Sequence, residues 1–146
     1  MTMTRDEFLS AIEKRGAQFA PAAGAREITM ASNALQAMRA AMLVPFIIEL
    51  YSATGGINLG SGYIFGPTEW TENRRFPTPG IVDVNKEISN MPNMRGFTVF
   101  GRNDLFWFAF DAFGVCYMLD NLTLRRLRKY DDAYRAMTDC LIAGKI

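Results

Sequence analysis

The apolar residues in the first part of the chain recur at helical spacing. Thr4 and Glu7 have the spacing of a capping box and precede a one-sided apolar stripe, which predicts a first helix that docks on other elements. Leucine and methionine positions three and four residues apart predict a second helix over about 29–42. Pro45 suits the first turn of a third helix, because the missing N–H would have no intrahelical partner there. The pattern over 81–88 favours a helix slightly over a strand.

Beyond residue 96 the pattern changes to short apolar and aromatic runs separated by turn residues. The runs 97–100, 105–110 and 115–119 predict strands of an antiparallel meander joined by short hairpins. The middle run is apolar at every position, which is typical of a strand inside a sheet and predicts that Trp107 belongs to the core. A last apolar stripe follows two aspartates that can cap a C-terminal helix. Together these elements predict a single α+β domain over 1–146, with N-terminal helices, a central and mainly antiparallel sheet, and a C-terminal helix.

Composition narrows the chemistry that this domain could perform. Sixteen lysines and arginines against fifteen acids leave a net charge of +1, so a broadly basic nucleic-acid-binding surface is not expected. The sequence contains no histidine, which excludes Ser-His-Asp and Cys-His catalysis and any histidine-ligated zinc or haem. The glycines at 60 and 62 lack the Lys-Ser or Lys-Thr of a phosphate-binding loop. We therefore expect no cofactor, and the composition favours binding over catalysis.

The cysteines and the lengths of the apolar runs bear on location. Cys116 and Cys140 are too few and too far apart for a disulfide framework or a thiolate metal site, so both are predicted to be buried thiols. The first residues lack the basic start and apolar stretch of a signal peptide. The longest apolar run, Ala40–Ile48, is broken by Pro45 and is too short to span a bilayer. These observations predict a cytoplasmic protein with no membrane partner.

Carboxylates at the ends of the predicted strands are the first candidate functional groups. Asp104, Asp111 and Asp120 could form an acidic rim for a basic partner, a divalent metal or a catalytic pair. The competing interpretation is that each aspartate hydrogen-bonds its own turn backbone. No second type of catalytic group accompanies them, so we favour turn aspartates and keep Asp104 and Asp111 as candidate contact residues.

Two other segments are candidate contact surfaces. Trp70, Arg74 and Arg75 lie in the polar stretch 67–79, and exposed Trp and Arg side chains often dominate protein interfaces. The alternative for Trp70 is that it packs against the protein's own core. The cluster 125–129 carries four cations, which could contact a phosphate or an acidic partner. A solvated face of a strand or helix is the favoured interpretation of that cluster, because a nucleic-acid surface needs a larger basic field.

Several of these motifs resemble those of the SUKH superfamily, the Smi/Knr-like domains. The resemblance rests on Val44-Pro45, Tyr51, Gly55-Gly56, the strand Phe106–Asp111, Gly114 and the strand Tyr117–Asp120. Within the superfamily the chain is most similar to the bacterial YrhA-type branch, through Phe100–Phe108, Tyr130–Asp132 and Ala136–Cys140. The resemblance covers about residues 28–145, and Val44 stands where the family usually has leucine. It implies an α+β fold with a mainly antiparallel sheet and no enzymatic activity.

The resemblance also implies a partner. Bacterial members of the superfamily resemble immunity proteins, small cytoplasmic domains that bind and neutralise a toxin. By this resemblance the chain would occlude the active surface of a cognate protein toxin, of the polymorphic or contact-dependent kind. The predicted contact residues are Trp70, Arg74, Arg75, Asp104 and Asp111. Two alternatives stay open: a small metal-dependent hydrolase that uses Asp104, Asp111 and Asp120, and a regulatory scaffold. The oligomeric state is not predicted.

Overall fold

The structure, a computed structural model, describes residues 3–71 and 77–142. Its helices are α1 (Arg5–Glu13), α2 (Ala25–Ala37), α3 (Pro45–Tyr51), α4 (Ile81–Ile88) and α5 (Ala133–Ile142). Its strands are β1 (Gln18–Phe19), β2 (Ile57–Leu59), β3 (Gly62–Ile64), β4 (Phe97–Arg102), β5 (Phe106–Asp111), β6 (Cys116–Asp120) and β7 (Arg126–Tyr130). Within the described ranges the strands form one seven-stranded sheet in sequence order, and every neighbouring pair is antiparallel. The predicted α+β class, with its meander and C-terminal helix, is confirmed.

Local signals in the sequence explain where most of the helices begin. The Thr4 hydroxyl accepts a hydrogen bond from the Glu7 amide at 3.1 Å, and the Glu7 carboxylate accepts one from the Thr4 amide at 3.3 Å, which completes the predicted capping box. α3 begins at Pro45 as predicted. At the start of α5 the Asp132 carboxylate accepts a hydrogen bond from the Tyr134 amide at 3.0 Å, as a capping residue does.

Two boundaries differ from the prediction. α2 spans Ala25–Ala37 rather than about 29–42, because Arg39 adopts a left-handed φ of 64° and ends the helical path before the apolar pattern ends. Pro21 and the alanines around it predict a loop over 17–26, but the structure has the strand β1 within this segment. Two residues are too few to show the alternating pattern that would predict a strand. Among residues 3–71 and 77–142, no helix has the length and apolar character needed to cross a membrane.

One face of the sheet is buried beneath α3 and α5. Phe46 of α3 packs edge-on against Phe100 and Phe110, with ring centroids 5.7 and 5.6 Å apart. α5 packs against β3 on the same side, where the Cys140 thiol donates a hydrogen bond to the Tyr63 carbonyl at 3.4 Å. These contacts place the core between the sheet and the two helices.

The opposite face carries aromatic rings and cations instead of a long helix. Ala109 of β5 pairs with Tyr117 of β6, and because its side chain ends at Cβ, the rings of Tyr117 and Phe97 meet across β5 with centroids 5.7 Å apart. The guanidinium of Arg126 lies over both rings, 5.5 Å from Phe97 and 5.6 Å from Tyr117. Trp107 lies on this face, where it is half-buried and packs against the core.

α4 takes the place of a neighbouring strand beside part of β4. Asn85 of α4 is only 1% exposed, and its Nδ2 donates to the Val99 carbonyl at 2.9 Å while its Oδ1 accepts from the Val99 amide at 2.9 Å. The same Nδ2 also donates to the Ile81 carbonyl at 2.7 Å. One amide side chain therefore satisfies the backbone groups of β4 that lie beyond the end of β3.

Two backbone segments come into direct contact at Gly55 and Gly66. A Cβ atom on Gly66 would overlap the Gly55 carbonyl oxygen, and a Cβ on Gly55 would lie 2.8 Å from the Pro21 carbonyl oxygen. The Gly66 carbonyl accepts a hydrogen bond from the Ile81 amide at 2.7 Å, which ties this junction to the start of α4. The Gly55-Gly56 motif thus has a structural reason, because no larger residue fits where these chains touch.

Candidate partner-binding surface

The turn between β4 and β5 is held in one conformation by a buried amide. The Asn103 Oδ1 atom accepts hydrogen bonds from the amides of Leu105 and Phe106, each at 2.9 Å. Its Nδ2 donates to the Cys140 carbonyl at 3.1 Å, which anchors the turn to α5. Asn103 is 6% exposed, whereas the neighbouring Leu105 is 60% exposed. The turn is therefore a preorganised support that presents an aliphatic side chain to solvent.

On one side of this turn lies a groove that we call the Arg102 groove. It has a volume of about 500 Å³ and is lined by Gly60, Ser61, Tyr63, Pro77, Pro79, Arg102 and Asp104. The guanidinium of Arg102 stacks 4.6 Å from the ring centroid of Trp107, which fixes the position of this cation. Burial raises the pKa of the Tyr63 hydroxyl against the opposing effect of Arg102, so the hydroxyl stays protonated and can donate a hydrogen bond.

On the other side of the turn lies a second groove, the Met118 groove. It has a volume of about 390 Å³ and is lined by Leu105, Phe106, Phe108, Met118, Arg128, Arg135 and Asp139. The Asp139 carboxylate accepts hydrogen bonds from the Tyr130 hydroxyl at 2.7 Å and from Arg128 at 3.2 Å. Burial, followed by this hydrogen bond, raises the pKa of the Tyr130 hydroxyl well above its usual value. The groove combines an apolar floor with charged walls.

Two of the three candidate aspartates are turn residues, as the favoured interpretation predicted. The Asp111 Oδ1 accepts hydrogen bonds from the amides of Phe113 and Val115 at 2.9 and 3.1 Å. The Asp120 Oδ2 accepts from the amides of Leu122 and Thr123 and from the Thr123 hydroxyl, at 2.9, 2.7 and 3.0 Å. These hydrogen bonds lower the pKa of the Asp120 carboxyl. Asp104 differs, because it lines the Arg102 groove.

The three aspartates do not form one site. Asp120 pairs with Phe106 and so lies at the same end of the sheet as Asp104, whereas Asp111 pairs with Phe97 at the other end. The length of β5 separates the two ends by about 17 Å, at about 3.4 Å per residue. Across the described part of the chain, no three acidic or cysteine side chains are grouped closely enough to hold a metal ion. The hydrolase alternative therefore has no assembled set of carboxylates among these residues.

Of the remaining predicted contact residues, the structure describes Trp70. Trp70 is half-buried, and its backbone pairs with Thr78 through hydrogen bonds of 2.9 and 3.0 Å. Thr78 lies between the two prolines of the Arg102 groove, but Trp70 itself lines a separate cavity of about 180 Å³, beside Pro21 and Gly55. Its indole nitrogen is buried and has no hydrogen-bond partner in the part of the chain that the structure describes. Arg74 and Arg75 lie outside the described residues.

The two cysteine thiols are buried and therefore unreactive. Cys116 is 1% exposed and Cys140 is fully buried, so the prediction of buried thiols is confirmed. Burial, followed by the nearby carboxylates of Asp111 and Asp132, raises the pKa of the Cys116 thiol to about 12. Burial also raises the pKa of Cys140. Neither thiol is available as a nucleophile near neutral pH, because the thiolate is the reactive form.

This burial predicts slow thiol chemistry. In a colorimetric disulfide-exchange assay at pH 8, the native protein should react at least about 100-fold more slowly than the protein in denaturant, where both thiols have ordinary pKa values. The unfolded protein provides the control for the total number of thiols. Rapid reaction of either cysteine in the native state would contradict the described burial.

Two elements of this surface were not recognised from the sequence. Leu105 begins a run that is apolar throughout, so nothing in the pattern marks it as exposed. The stacking of Arg102 on Trp107 follows from their pairing across β4 and β5, which depends on the register. The signal that could have found Leu105 is its position directly after the turn residues Asn103 and Asp104.

Comparisons with known proteins leave the family open. No model of a known protein family matches the chain, and no curated protein matches it either. The resemblance to the SUKH superfamily thus stays a prediction from motifs, and the functional proposal depends on the geometry of the two grooves.

Proposed function

We propose that this chain is a protein-binding module of the immunity type, which neutralises a cognate toxin by covering the toxin's active surface. The observation that carries the proposal is the β4–β5 turn, a rigid ridge between two grooves with Leu105 exposed on it. The resemblance to the SUKH superfamily supports the same class of function.

The chemistry of the ridge suits recognition of a folded partner. Interfaces derive most of their affinity from a few Trp, Tyr and Arg anchors surrounded by contacts that exclude water. The Arg102 groove offers Tyr63 and an Arg102 guanidinium already stacked on Trp107, so little side-chain freedom is lost on binding. Asn103 holds the backbone of the ridge in place before any partner arrives.

The described reactive groups favour binding over catalysis. Asp111 and Asp120 use their carboxylates within their own turns, and both thiols are buried. The polar groups that line the grooves are arginines, the hydroxyls of Ser61 and Tyr63, and the carboxylates of Asp104 and Asp139. Among the described residues neither of these hydroxyls is hydrogen-bonded to a carboxylate, so no nucleophile–base pair is assembled there.

A growth assay tests the function. Co-expression of the chain with the toxin domain encoded beside its gene should restore growth to cells that the toxin alone arrests. In a binding measurement by calorimetry, Leu105→Asp should weaken binding by about 100-fold, because it places a charge at the centre of the contact. Met30→Asp is the matched control, since Met30 on α2 is also 60% exposed, and it should leave affinity unchanged.

Each result of this assay has a defined meaning. If no neighbouring gene product arrests growth or binds the chain, the immunity function is wrong. A stable host protein recovered in place of a toxin would favour the regulatory scaffold. If a toxin binds the Leu105→Asp variant as tightly as the wild type, the function holds but the β4–β5 turn is not the binding surface.

A further inference from the structure

We infer that the Met118 groove receives an acidic segment of the partner, which inserts one aliphatic or aromatic side chain between Phe106, Phe108 and Met118. The inference rests on the proposed function, because it specifies the chemistry of the partner surface that this chain recognises. Its basis is an apolar depression bordered by cations at one end of the sheet.

The apolar part of the groove extends onto its rim. Leu105 on the groove wall is 60% exposed, Leu122 in the β6–β7 loop is 84% exposed, and Leu127 of β7 is 49% exposed. Leu122 follows Asp120, which pairs with Phe106 on the groove floor, and Leu127 precedes Arg128 on the wall. Exposed leucines concentrated at one end of a sheet indicate a surface that is covered in a complex.

The charge of the groove determines what kind of segment fits. Two guanidinium groups, from Arg128 and Arg135, face a single carboxylate, that of Asp139. This carboxylate already accepts hydrogen bonds from the Tyr130 hydroxyl and from Arg128. Arg135 is exposed and has no ion-pair or hydrogen-bond partner among the described residues. The cation that remains available therefore attracts carboxylates of a partner.

Only part of the neighbouring basic segment can add to this positive field. Arg125 beside β7 is exposed, whereas Arg126, which stacks over rings of the opposite face, and Lys129, which pairs with Tyr117 of that face, do not face the groove. A nucleic acid is disfavoured, because the groove floor is apolar and the cations are few. An acidic protein segment with one apolar side chain complements both the apolar floor of the groove and the cations on its walls.

The edge of the sheet does not offer the simpler mode of binding, the addition of a strand. β7 pairs with β6 on one side, but its register shifts between Met118 and Leu119, where Leu127 is the extra residue. Such a bulge, together with lysine and arginine side chains, is how proteins prevent strand addition at an exposed edge. Recognition by side chains in the groove is the mode that this edge permits.

A designed peptide tests the inference directly. The probe is a fluorescein-labelled twelve-residue peptide of glutamates with a central Leu-Phe pair, measured by fluorescence anisotropy at low salt. We expect it to bind, and we expect neither the lysine-for-glutamate peptide nor the serine-for-Leu-Phe peptide to bind comparably. In NMR spectra the acidic peptide should shift the Met118 methyl resonance.

Charge reversal on matched helices provides the mutational test. Arg135→Glu in the first turn of α5 should weaken peptide binding by about tenfold, the loss expected when an attractive charge contact becomes repulsive. Arg26→Glu in the first turn of α2 is the control and should leave binding unchanged. Both substitutions place a glutamate near a helix N-terminus, where it is compatible with folding.

The outcomes separate this inference from the proposed function. Three results would contradict recognition of an acidic segment. They are unchanged peptide affinity in Arg135→Glu, equal binding of the lysine peptide, and stronger binding of a single-stranded oligonucleotide. If a toxin is neutralised with the same affinity by Arg135→Glu but not by Leu105→Asp, the inference fails while the proposed function stands. If no toxin binds the wild-type chain, the proposed function fails, and with it the inference as a statement about that partner.

Discussion

Gly66→Ala should lower the free energy of unfolding by about 3–5 kcal/mol, above the roughly 1–3 kcal/mol that overpacking substitutions typically cost. The added methyl would overlap the Gly55 carbonyl oxygen, which belongs to backbone and cannot rotate away as a side chain can. Relief requires the two segments to separate, and this would strain the hydrogen bond from the Ile81 amide to the Gly66 carbonyl. The expected decrease in melting temperature is about 6–20 °C.

Urea unfolding followed by circular dichroism measures this effect. Gly24→Ala is the matched control, because Gly24 has a φ of −77° and its Cβ would lie 3.6 Å from a flexible Glu27 carboxylate oxygen. That control should change stability by less than about 1 kcal/mol, the usual size of a glycine-to-alanine difference at a helix cap. Equal stabilities of the two variants would show that Gly55 and Gly66 are not in contact.

Asn85→Ala should cost about 2–5 kcal/mol, since it removes the partner of two buried backbone groups at once. The Val99 amide and carbonyl each have a hydrogen bond of 2.9 Å to the Asn85 side chain. Without the side chain both groups remain in the interior, where a missing hydrogen bond costs about 1–3 kcal/mol for each group. The cavity left by the amide adds to this cost.

The control for this substitution is Asn33→Ala on the exposed side of α2. A surface change of this kind should alter stability by at most about 0.5 kcal/mol. Hydrogen exchange at the Val99 amide provides a second measurement, and its protection should be lost in Asn85→Ala while the centre of β5 stays protected. Retained protection at the Val99 amide would mean that the Asn85 side chain is not its hydrogen-bond partner.

The sequence predicts the fold where local chemistry determines it. The capping box at Thr4, the proline at 45 and the turn aspartates Asp111 and Asp120 follow from short-range rules, and the structure confirms each of them. Alternating apolar runs and turns also predict the antiparallel meander of β4–β6. Such features need only a few neighbouring residues to form.

The candidate surface depends on relationships that the sequence does not display. In the sequence nothing distinguishes Asn85 from other polar residues of a short helix. Its hydrogen-bond partner, Val99, comes within reach only when α4 lies beside β4. The exposure of Leu105 depends on which strand residues α5 covers. The separation of Asp104 from Asp111, however, follows from the meander itself, since the two residues flank opposite ends of the same strand.

The order of the sheet has a consequence for how the chain folds during synthesis. The strands β4–β7 are joined by short connections and pair only with their neighbours, so the entropy lost on closing their loops is small. α1 and α3, by contrast, pack against aromatic residues that lie much later in the sequence. Phe8 packs on Tyr134, and Phe46 packs on Phe110. The N-terminal helices therefore leave the ribosome before the surfaces that cover them exist, and the core closes only after α5 has been made.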